Sequence, residues 1–302
     1  MKVKFTYPGF TTKAITFTID DGNIPMDKKF IDIVKPAGIK GSFNLNGAER
    51  LSGMTPEEYR EFYRGFEVTN HCKRHPKVIL PTDTYEYTDE PFDMASADRT
   101  KLYSSDIEGL YYKFFTSYWG YIATPDTYIR LVDECKSELE EIFGKGSITA
   151  FVWPYHEQAD ESVKAHLAAN YTSVRRTGLA DFNLPEDRQA WCYNATHANL
   201  LERAAEFASL ESDSLTFLAV GVHAIDFERA GVWHVLEQFA REYGNRPGDY
   251  YYATVGEIFA YEDATKALTV TDTEITNPTS VAVYAIADGR RLEIPAGKSV
   301  KI

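Results

Sequence analysis

The chain is poor in cysteine and has no long apolar run. Its 302 residues include only three cysteines, Cys72, Cys135 and Cys192, and none of them belongs to a Cys-x-x-Cys pair. So small and odd a set argues against a disulfide framework and a structural zinc site, and we expect three reduced thiols. No stretch approaches the roughly 18 consecutive apolar residues that a membrane helix needs, so we expect no membrane segment.

Positive charge is scarce as well. The chain has 32 Lys and Arg residues against 45 Asp and Glu residues, which gives a formal net charge of −13. Because an acidic surface repels phosphate backbones, we expect no nucleic-acid partner. No apolar signal-peptide core precedes the first predicted strand, which at face value indicates a cytoplasmic protein, although a leader already removed would leave the same pattern. Nothing in the sequence indicates an oligomeric state.

What the sequence does contain is an alternation of strand and helix patterns. The β-branched and aromatic run at 14–19 predicts a buried strand, and an amphipathic helix over 26–34 follows it. The same patterns predict strands at 39–45, 66–69, 148–153, 171–175 and 215–222 and helices at 56–62, 126–143, 160–169, 199–210 and 231–243. This order predicts parallel βα units that close into a barrel, with a functional site at the carboxyl ends of its strands. An open doubly wound sheet is the alternative.

Two segments interrupt this alternation. Residues from about 79 to 125 are crowded with aromatic side chains, and two interpretations stay open: an excursion with its own small core, or the wall of a binding cleft. Residues 265–302 have short alternating runs that indicate a few antiparallel strands, too few for an independent domain. We therefore expect a main domain over 1–264 and a small β appendage over 265–302 that packs on it.

Polar residues follow two of the predicted buried strands directly. Asp20 and Asp21 end the first strand, where alternating side chains let one carboxylate face a metal and the other face substrate or water. His71 and His75 follow the third strand, and their spacing lets both imidazoles converge on one ion if the segment turns helically. Two imidazoles and one carboxylate suit zinc or another borderline divalent cation, with positions left for water and substrate.

These fragments resemble the motifs of the polysaccharide deacetylase family, carbohydrate esterase family 4. Its Thr-Phe-Asp-Asp-Gly motif stands here as Thr-Ile-Asp-Asp-Gly at 18–22, and its His-Ser/Thr-x-x-His-Pro motif as His-Cys-Lys-Arg-His-Pro at 71–76. Its Arg-x-Pro-Tyr motif would fall on Val-Trp-Pro-Tyr at 152–155, and its Leu-x-His motif on 220–223. The resemblance covers residues 14 to about 260, and the first two motifs carry most of its weight.

The resemblance implies a distorted (β/α) barrel of about seven strands that acts as a metal-dependent hydrolase. The implied reaction removes an N-acetyl group from an amino sugar in a polysaccharide or its precursor, so an acetylated carbohydrate is the expected partner and a divalent metal, zinc by preference, the cofactor. The implied roles are Asp20 as catalytic base, His223 as catalytic acid, Asp21, His71 and His75 as metal ligands, and Tyr155 as oxyanion donor through its backbone amide, with Pro154 and Trp153 beside it at the substrate.

One departure from the family pattern leaves the function open. Val152 stands where many relatives have an arginine that pairs with the catalytic aspartate, and Arg175 or Arg176 is the candidate to supply that charge instead. Two enzymatic alternatives keep the fold and the metal but change the bond, namely an O-acetyl esterase and a non-sugar amidase. A third alternative is a catalytically silent barrel that binds glycans.

Overall fold

The computed structural model describes residues 2–48, 53–157 and 160–302 of the chain. The strands, in chain order, are β1 (Val3–Thr6), β2 (Lys13–Asp20), β3 (Gly41–Leu45), β4 (Glu67–Asn70), β5 (Lys77–Val78), β6 (Glu86–Thr88), β7 (Lys101–Ser104), β8 (Leu110–Phe115), β9 (Tyr118–Ala123), β10 (Ala150–Val152), β11 (Ser173–Leu179), β12 (Trp191–Tyr193), β13 (Thr216–His223), β14 (Tyr251–Tyr252), β15 (Thr269–Val270), β16 (Glu274–Thr276), β17 (Val283–Ala287), β18 (Arg290–Ile294) and β19 (Ser299–Lys301). The helices are α1 (Ile24–Val34), α2 (Pro56–Phe62), α3 (Pro125–Phe143), α4 (Glu161–Asn170), α5 (Leu200–Ser209), α6 (Ala224–Arg229), α7 (Trp233–Tyr243) and α8 (Val255–Lys266).

A parallel sheet forms the centre of the molecule. Its strands follow the order β12-β11-β10-β4-β3-β2-β13, and the short strand β14 pairs with the start of β2. The interior residues of β2 are all buried, as expected for a strand covered on both faces. At one side of this strand, Phe17 contacts the rings of Phe30 in α1 and Phe239 in α7 at centroid distances of 5.2 and 5.5 Å. Apolar burial against these helices therefore fixes the strand that carries the predicted aspartates.

The two edges of this sheet are joined by bridges to β13, one of them from the segment that follows β12. Ala195 forms a parallel bridge with Val220 of β13, and the amide of Gly221 donates to the carbonyl oxygen of Ala195 at 2.9 Å. Helices α3, α4, α5 and α8 contact strands β4, β11, β13 and β2 respectively. The chain thus has an α/β fold with a distorted (β/α) barrel, which confirms the predicted fold class.

The segment between β4 and α3 folds as a second sheet. Its five strands follow the order β5-β9-β8-β7-β6, and β8 and β9 form an antiparallel hairpin. Leu102, Leu110 and Ile122 are buried within this segment. The aromatic stretch predicted at about 79–125 therefore has regular structure of its own, and we refer to it as the inserted sheet.

The carboxyl-terminal residues form two three-stranded sheets, with the orders β1-β17-β18 and β15-β16-β19. They enclose a small apolar cluster that includes Ile275, Ala285 and Ile294. Strand β1, from the opposite end of the chain, pairs antiparallel with β17, which the sequence did not predict. Helix α8 joins this unit to the barrel, because the Tyr261 hydroxyl donates to the carbonyl oxygen of Thr6 at 2.5 Å and accepts from the amide of Tyr284 at 2.9 Å.

Across the described residues, no helix combines the length and the apolar character needed to cross a membrane.

Candidate active site

Most of the predicted site residues meet in one cavity at the carboxyl ends of the barrel strands. The cavity has a volume of about 870 Å³. It is lined by residues that follow or end β2, β4, β10 and β13, among them Asp20, Asp21, His71, His75, Trp153 and His223. Parallel strands present their carboxyl ends at the same edge, so residues far apart in sequence become neighbours here.

Asp21, His71 and His75 bring three potential ligand atoms together. The Nε2 atoms of His71 and His75 lie 3.6 and 3.5 Å from Oδ1 of Asp21, and the three ligand atoms are all within 4.8 Å of one another. The two imidazoles converge as the spacing predicted, but the segment 71–75 does not turn helically. The backbone instead has positive φ angles of 58° at Cys72, 65° at Arg74 and 50° at His75, so an irregular turn brings both imidazoles to the same point.

A hydrogen bond to the backbone fixes the orientation of the His71 ring. Its Nδ1–H donates to the carbonyl oxygen of Val152 at 2.9 Å, which assigns the hydrogen to Nδ1 and leaves the lone pair on Nε2. Among the described residues, Nε2 has no hydrogen-bond partner although it is buried. Burial lowers the pKa of His71, and the carboxylates of Asp20 and Asp21 offset this effect only in part. A buried, neutral imidazole aimed at a carboxylate beyond hydrogen-bond distance fits a divalent cation held between them.

Asp20 lies beside this group but has different partners. Its Oδ2 accepts from Nη2 of Arg175 at 2.5 Å, and its Oδ1 accepts from Nδ2 of Asn44 at 2.5 Å. Burial alone would raise the pKa of Asp20, but the Arg175 guanidinium, aided by the imidazoles of His71 and His223, holds that pKa well below its usual range. Asp20 is therefore a fixed, ionised carboxylate at the edge of the cavity.

Of the two candidate arginines, the structure places Arg175 against Asp20. The Arg175 side chain is only 2% exposed, and its Nη1 also donates to Oγ1 of Thr18 at 3.0 Å. Arg176 instead forms an ion pair with Glu157 at 3.0 Å on the outer side of the strand. Side-chain alternation along β11 accounts for the difference, because neighbouring residues of a strand face opposite sides.

His223 ends β13, the strand next to β2, and lines the same cavity. Its Nδ1 lies 2.9 Å from Oδ2 of Asp226, and its Nε2 lies 3.7 Å from Oδ2 of Asp21. Burial lowers the pKa of His223, but the hydrogen bond with Asp226 and the carboxylates of Asp20 and Asp21 outweigh this and raise the pKa to about 9. The imidazole is thus oriented by one carboxylate and presents its other nitrogen to the cavity.

The three residues of the Trp-Pro-Tyr segment take different positions. Tyr155 lines the cavity with a backbone φ of 61°, and its ring lies 4.6 Å from that of His75. Trp153 also lines the cavity, but it is almost fully buried against Tyr128. Pro154 is buried and is not among the described residues that line the cavity, so its predicted place at the substrate has no support from the lining.

Several cavity residues were not predicted from the sequence. Asp226, Tyr193, His197 and Tyr118 all line it, and Arg175 lies over the Tyr193 ring at 5.4 Å. Asp226 occupies the third position of α6 and accepts from the backbone amide of His223 at 3.1 Å. A carboxylate three residues after the N-cap residue is a helix-capping signature. The spacing of His223 and Asp226 was therefore the one signal in the sequence that could have identified Asp226.

Known structures similar to this chain include enzymes that act on carbohydrates. The Xyl-CE4 domain of a multidomain xylanase from the hindgut metagenome of Trinervitermes trinervoides is 15% identical, with 83% of this chain and 92% of that chain covered and a TM-score of 0.48. The peptidoglycan deacetylase PdaC from Bacillus subtilis is 13% identical, with 84% and 94% covered and a TM-score of 0.45. A family 4 acetyl xylan esterase from Clostridium thermocellum is 13% identical, with 83% and 92% covered and a TM-score of 0.46.

Among curated protein sequences, none matches the chain. The family model described as polysaccharide deacetylase matches residues 8–174, which is more than half of the chain. The matched range includes Asp20, Asp21, His71 and His75. The chain therefore belongs to the polysaccharide deacetylase family.

Proposed function

We propose that this protein is a metal-dependent hydrolase that removes an N-acetyl group from an amino sugar in a polysaccharide or its precursor. The observation that carries the proposal is the convergence of Asp21, His71 and His75 within 4.8 Å, beside the separately held carboxylate of Asp20. Family membership supports deacetylation, and the donor set supports the metal. Two imidazoles and one carboxylate favour zinc among divalent cations.

Different residues of the chain carry out different steps of the proposed hydrolysis. A divalent cation held by Asp21, His71 and His75 would supply Lewis acidity toward the acetyl carbonyl and toward a water molecule. Asp20, ionised and held by Arg175 and Asn44, takes a proton from the attacking water. The backbone amide of Tyr155 donates to the oxyanion that forms on the acetyl carbonyl.

Departure of the amine needs a proton, and His223 supplies it. Asp226 accepts from Nδ1–H of His223, so Nε2 faces the cavity and donates to the leaving nitrogen. Base and acid thus approach the substrate from two different strands, β2 and β13, whose last residues Asp20 and His223 are paired in register. A separate base and acid beside one site suit hydrolysis by one attacking water without an acyl-enzyme.

The Arg175–Asp20 contact bears on the silent-barrel alternative. That alternative was motivated by Val152, the last residue of β10, which stands where many relatives have an arginine. Arg175 reaches the same carboxylate from β11 at 2.5 Å. A protein that only binds glycans has no need of a carboxylate held ionised beside a metal site, so the contact supports an enzyme.

The test is product analysis with a panel of N-acetylated and O-acetylated oligosaccharides, scored by acetate release, and a cyclic amide, scored by ring opening. We expect acetate together with a free amine, loss of activity after chelation, and recovery with Zn²⁺. Asp20→Asn should keep its zinc and lose activity by about 10²–10⁴-fold, the usual contribution of a general base. Acetate with an alcohol would identify an esterase instead. Undiminished activity in Asp20→Asn would remove that residue from the role of base.

A further inference from the structure

The turn of the β8–β9 hairpin reaches the cavity from the inserted sheet. Phe115 and Tyr118 pair across the end of this hairpin, and Ser117 and Tyr118 line the same cavity as Asp20 and His75. Tyr118 is 46% exposed, so its ring remains accessible to a ligand. One wall of the cavity is therefore built by a segment outside the barrel.

A series of aromatic rings leads from the metal-ligand group to this wall. The Tyr155 ring lies 4.6 Å from that of His75 and 5.4 Å from that of Phe115, and the Phe115 ring lies 5.4 Å from that of Tyr118. The series begins at a ligand of the metal site and ends at a solvent-exposed ring.

Close packing holds the hairpin against the barrel. A Cβ atom at Gly120 would lie 2.9 Å from Cε2 of Phe115 and 3.1 Å from the hydroxyl of Tyr155, so no side chain fits there. The ammonium of Lys77 lies 5.9 Å from the centroids of both rings. The wall thus combines aromatic faces with hydrogen-bond donors, the two features that a pyranose ring with its hydroxyls requires.

We infer that the tip of the β8–β9 hairpin is a sugar-binding wall that selects chain substrates over single sugars. With the acetyl group at Asp21 and the two histidines, the neighbouring sugar unit stacks on Tyr118. Tyr118 is therefore a specificity-determining residue, and the substrate class is an oligosaccharide of several units. The inference rests on the proposed function for the position of the acetyl group.

The first test compares chain lengths. Steady-state kcat/KM is measured with β-linked N-acetylglucosamine oligomers of one to five units. Wild type should gain about tenfold or more from the monomer to the longer oligomers, the scale of one stacking contact. Tyr118→Ala should lose that gain, and Tyr118→Phe, which keeps the ring, should retain it. Tyr87→Ala is the matched control, because Tyr87 is a 56% exposed tyrosine on β6 of the same sheet.

The second test is independent of turnover. Calorimetric titration of the metal-free protein with the five-unit oligomer should give a Kd about tenfold weaker for Tyr118→Ala than for wild type or Tyr87→Ala. If no oligomer releases acetate, the proposed function fails while this titration still tests the wall. Two results of the titration would overturn the inference at once: equal affinity in wild type and Tyr118→Ala, and no measurable binding to wild type. An equal loss of affinity in Tyr87→Ala would also overturn it, as would an unchanged dependence of kcat/KM on chain length in Tyr118→Ala.

Discussion

Asp20 and Asp21 are neighbours in the chain, yet their surroundings give them different chemistry. Asp20 is the last residue of β2 and is held by the cation of Arg175 and the amide of Asn44. Asp21 has a positive φ of 79°, which turns it away from the strand direction and toward the two histidines. One backbone dihedral thus separates a carboxylate suited to proton transfer from one suited to metal binding.

The Arg175–Asp20 contact makes a prediction at the residue scale. Arg175→Gln should lower kcat by about 10²-fold, because a misplaced catalytic group loses that order of rate. Zinc content should stay at the wild-type level, since Arg175 contacts none of the three proposed ligands in the described structure. Kinetics with metal analysis measures both quantities.

Arg176→Gln is the matched control for this change. It removes the same charge one residue along β11, where the partner is the surface carboxylate of Glu157. Its kcat should stay within about twofold of wild type, as expected for an exposed ion pair. Equal losses in the two variants would show that net charge, and not contact with Asp20, accounts for the effect.

Strands β12 and β13 meet at a glycine that leaves no space for a side chain. A Cβ atom at Gly221 would lie 2.2 Å from Cδ1 of Tyr193, whose ring packs under the Arg175 guanidinium. Gly221→Ala should therefore lower the free energy of unfolding by about 1–3 kcal/mol through overpacking. It should also reduce kcat, because displacement of Tyr193 disturbs the partner of Asp20.

Urea denaturation and steady-state kinetics measure these two effects. Gly248→Ala is the control, since a Cβ atom at that position meets nothing within 4 Å. Its unfolding free energy and kcat should both match wild type. A Gly221→Ala protein as stable and active as Gly248→Ala would contradict the packing argument.

The contact between α8 and Glu67, the first residue of β4, makes the free energy of unfolding depend on pH. Glu67 is partly buried, and its desolvation raises its pKa despite hydrogen bonds from the Ser42 hydroxyl and the Gly256 amide. A carboxyl group with a raised folded-state pKa stabilises most below its unfolded pKa, and that stability is lost as the pH rises through the folded value. The unfolding free energy should therefore fall over this window in wild type and fall less in Glu67→Gln.

Urea denaturation at a series of pH values from about 4 to about 8 measures this difference. Glu237→Gln, which changes an exposed carboxylate on α7, should keep the wild-type pH profile. A Glu67→Gln profile parallel to wild type across the whole range would show that Glu67 does not cause the dependence.

The elements that the sequence predicted well are long and buried. The strand predicted at 14–19 is β2 (Lys13–Asp20), and the one predicted at 215–222 is β13 (Thr216–His223), because runs of apolar β-formers leave little choice of structure. Strands β12 and β14 have three and two residues, too few to show a period. The pairing of β1 depends on a partner at the far end of the chain, which no local pattern reveals.

The site shows the same division between local and distant information. The motifs around Asp21 and His71 predicted residues that the structure brings together, although their roles stay predictions. The sequence offered Arg175, with Arg176 as the alternative, because the choice depends on which face of β11 turns inward. Asp226 was missed because the pattern predicted no helix directly after β13, and its contact with His223 exists only where α6 begins.

Tyr261 makes a prediction for the whole molecule, since it links the barrel, the first strand and the carboxyl-terminal sheets. Its hydroxyl bonds Thr6 and Tyr284, and the residue is buried. Tyr261→Phe should lower the unfolding free energy by about 1–3 kcal/mol, because it leaves buried backbone groups without a partner. Values of kcat/KM should be unchanged.

Chemical denaturation and kinetics measure the two outcomes, and Tyr87→Phe, which removes an exposed hydroxyl, should change neither. A Tyr261→Phe protein of wild-type stability would show that the carboxyl-terminal sheets are held by apolar packing alone.

The pairing of β1 with β17 joins Val3 to Ala287. During synthesis on the ribosome, β1 emerges long before β17 and has no partner until β17 has been translated. Strands β2, β3 and β4 are close in sequence and pair long before that moment. An open strand edge is a template for pairing with other polypeptides. The open edge of β1 is therefore exposed to association throughout that interval, and pairing with β17 ends it.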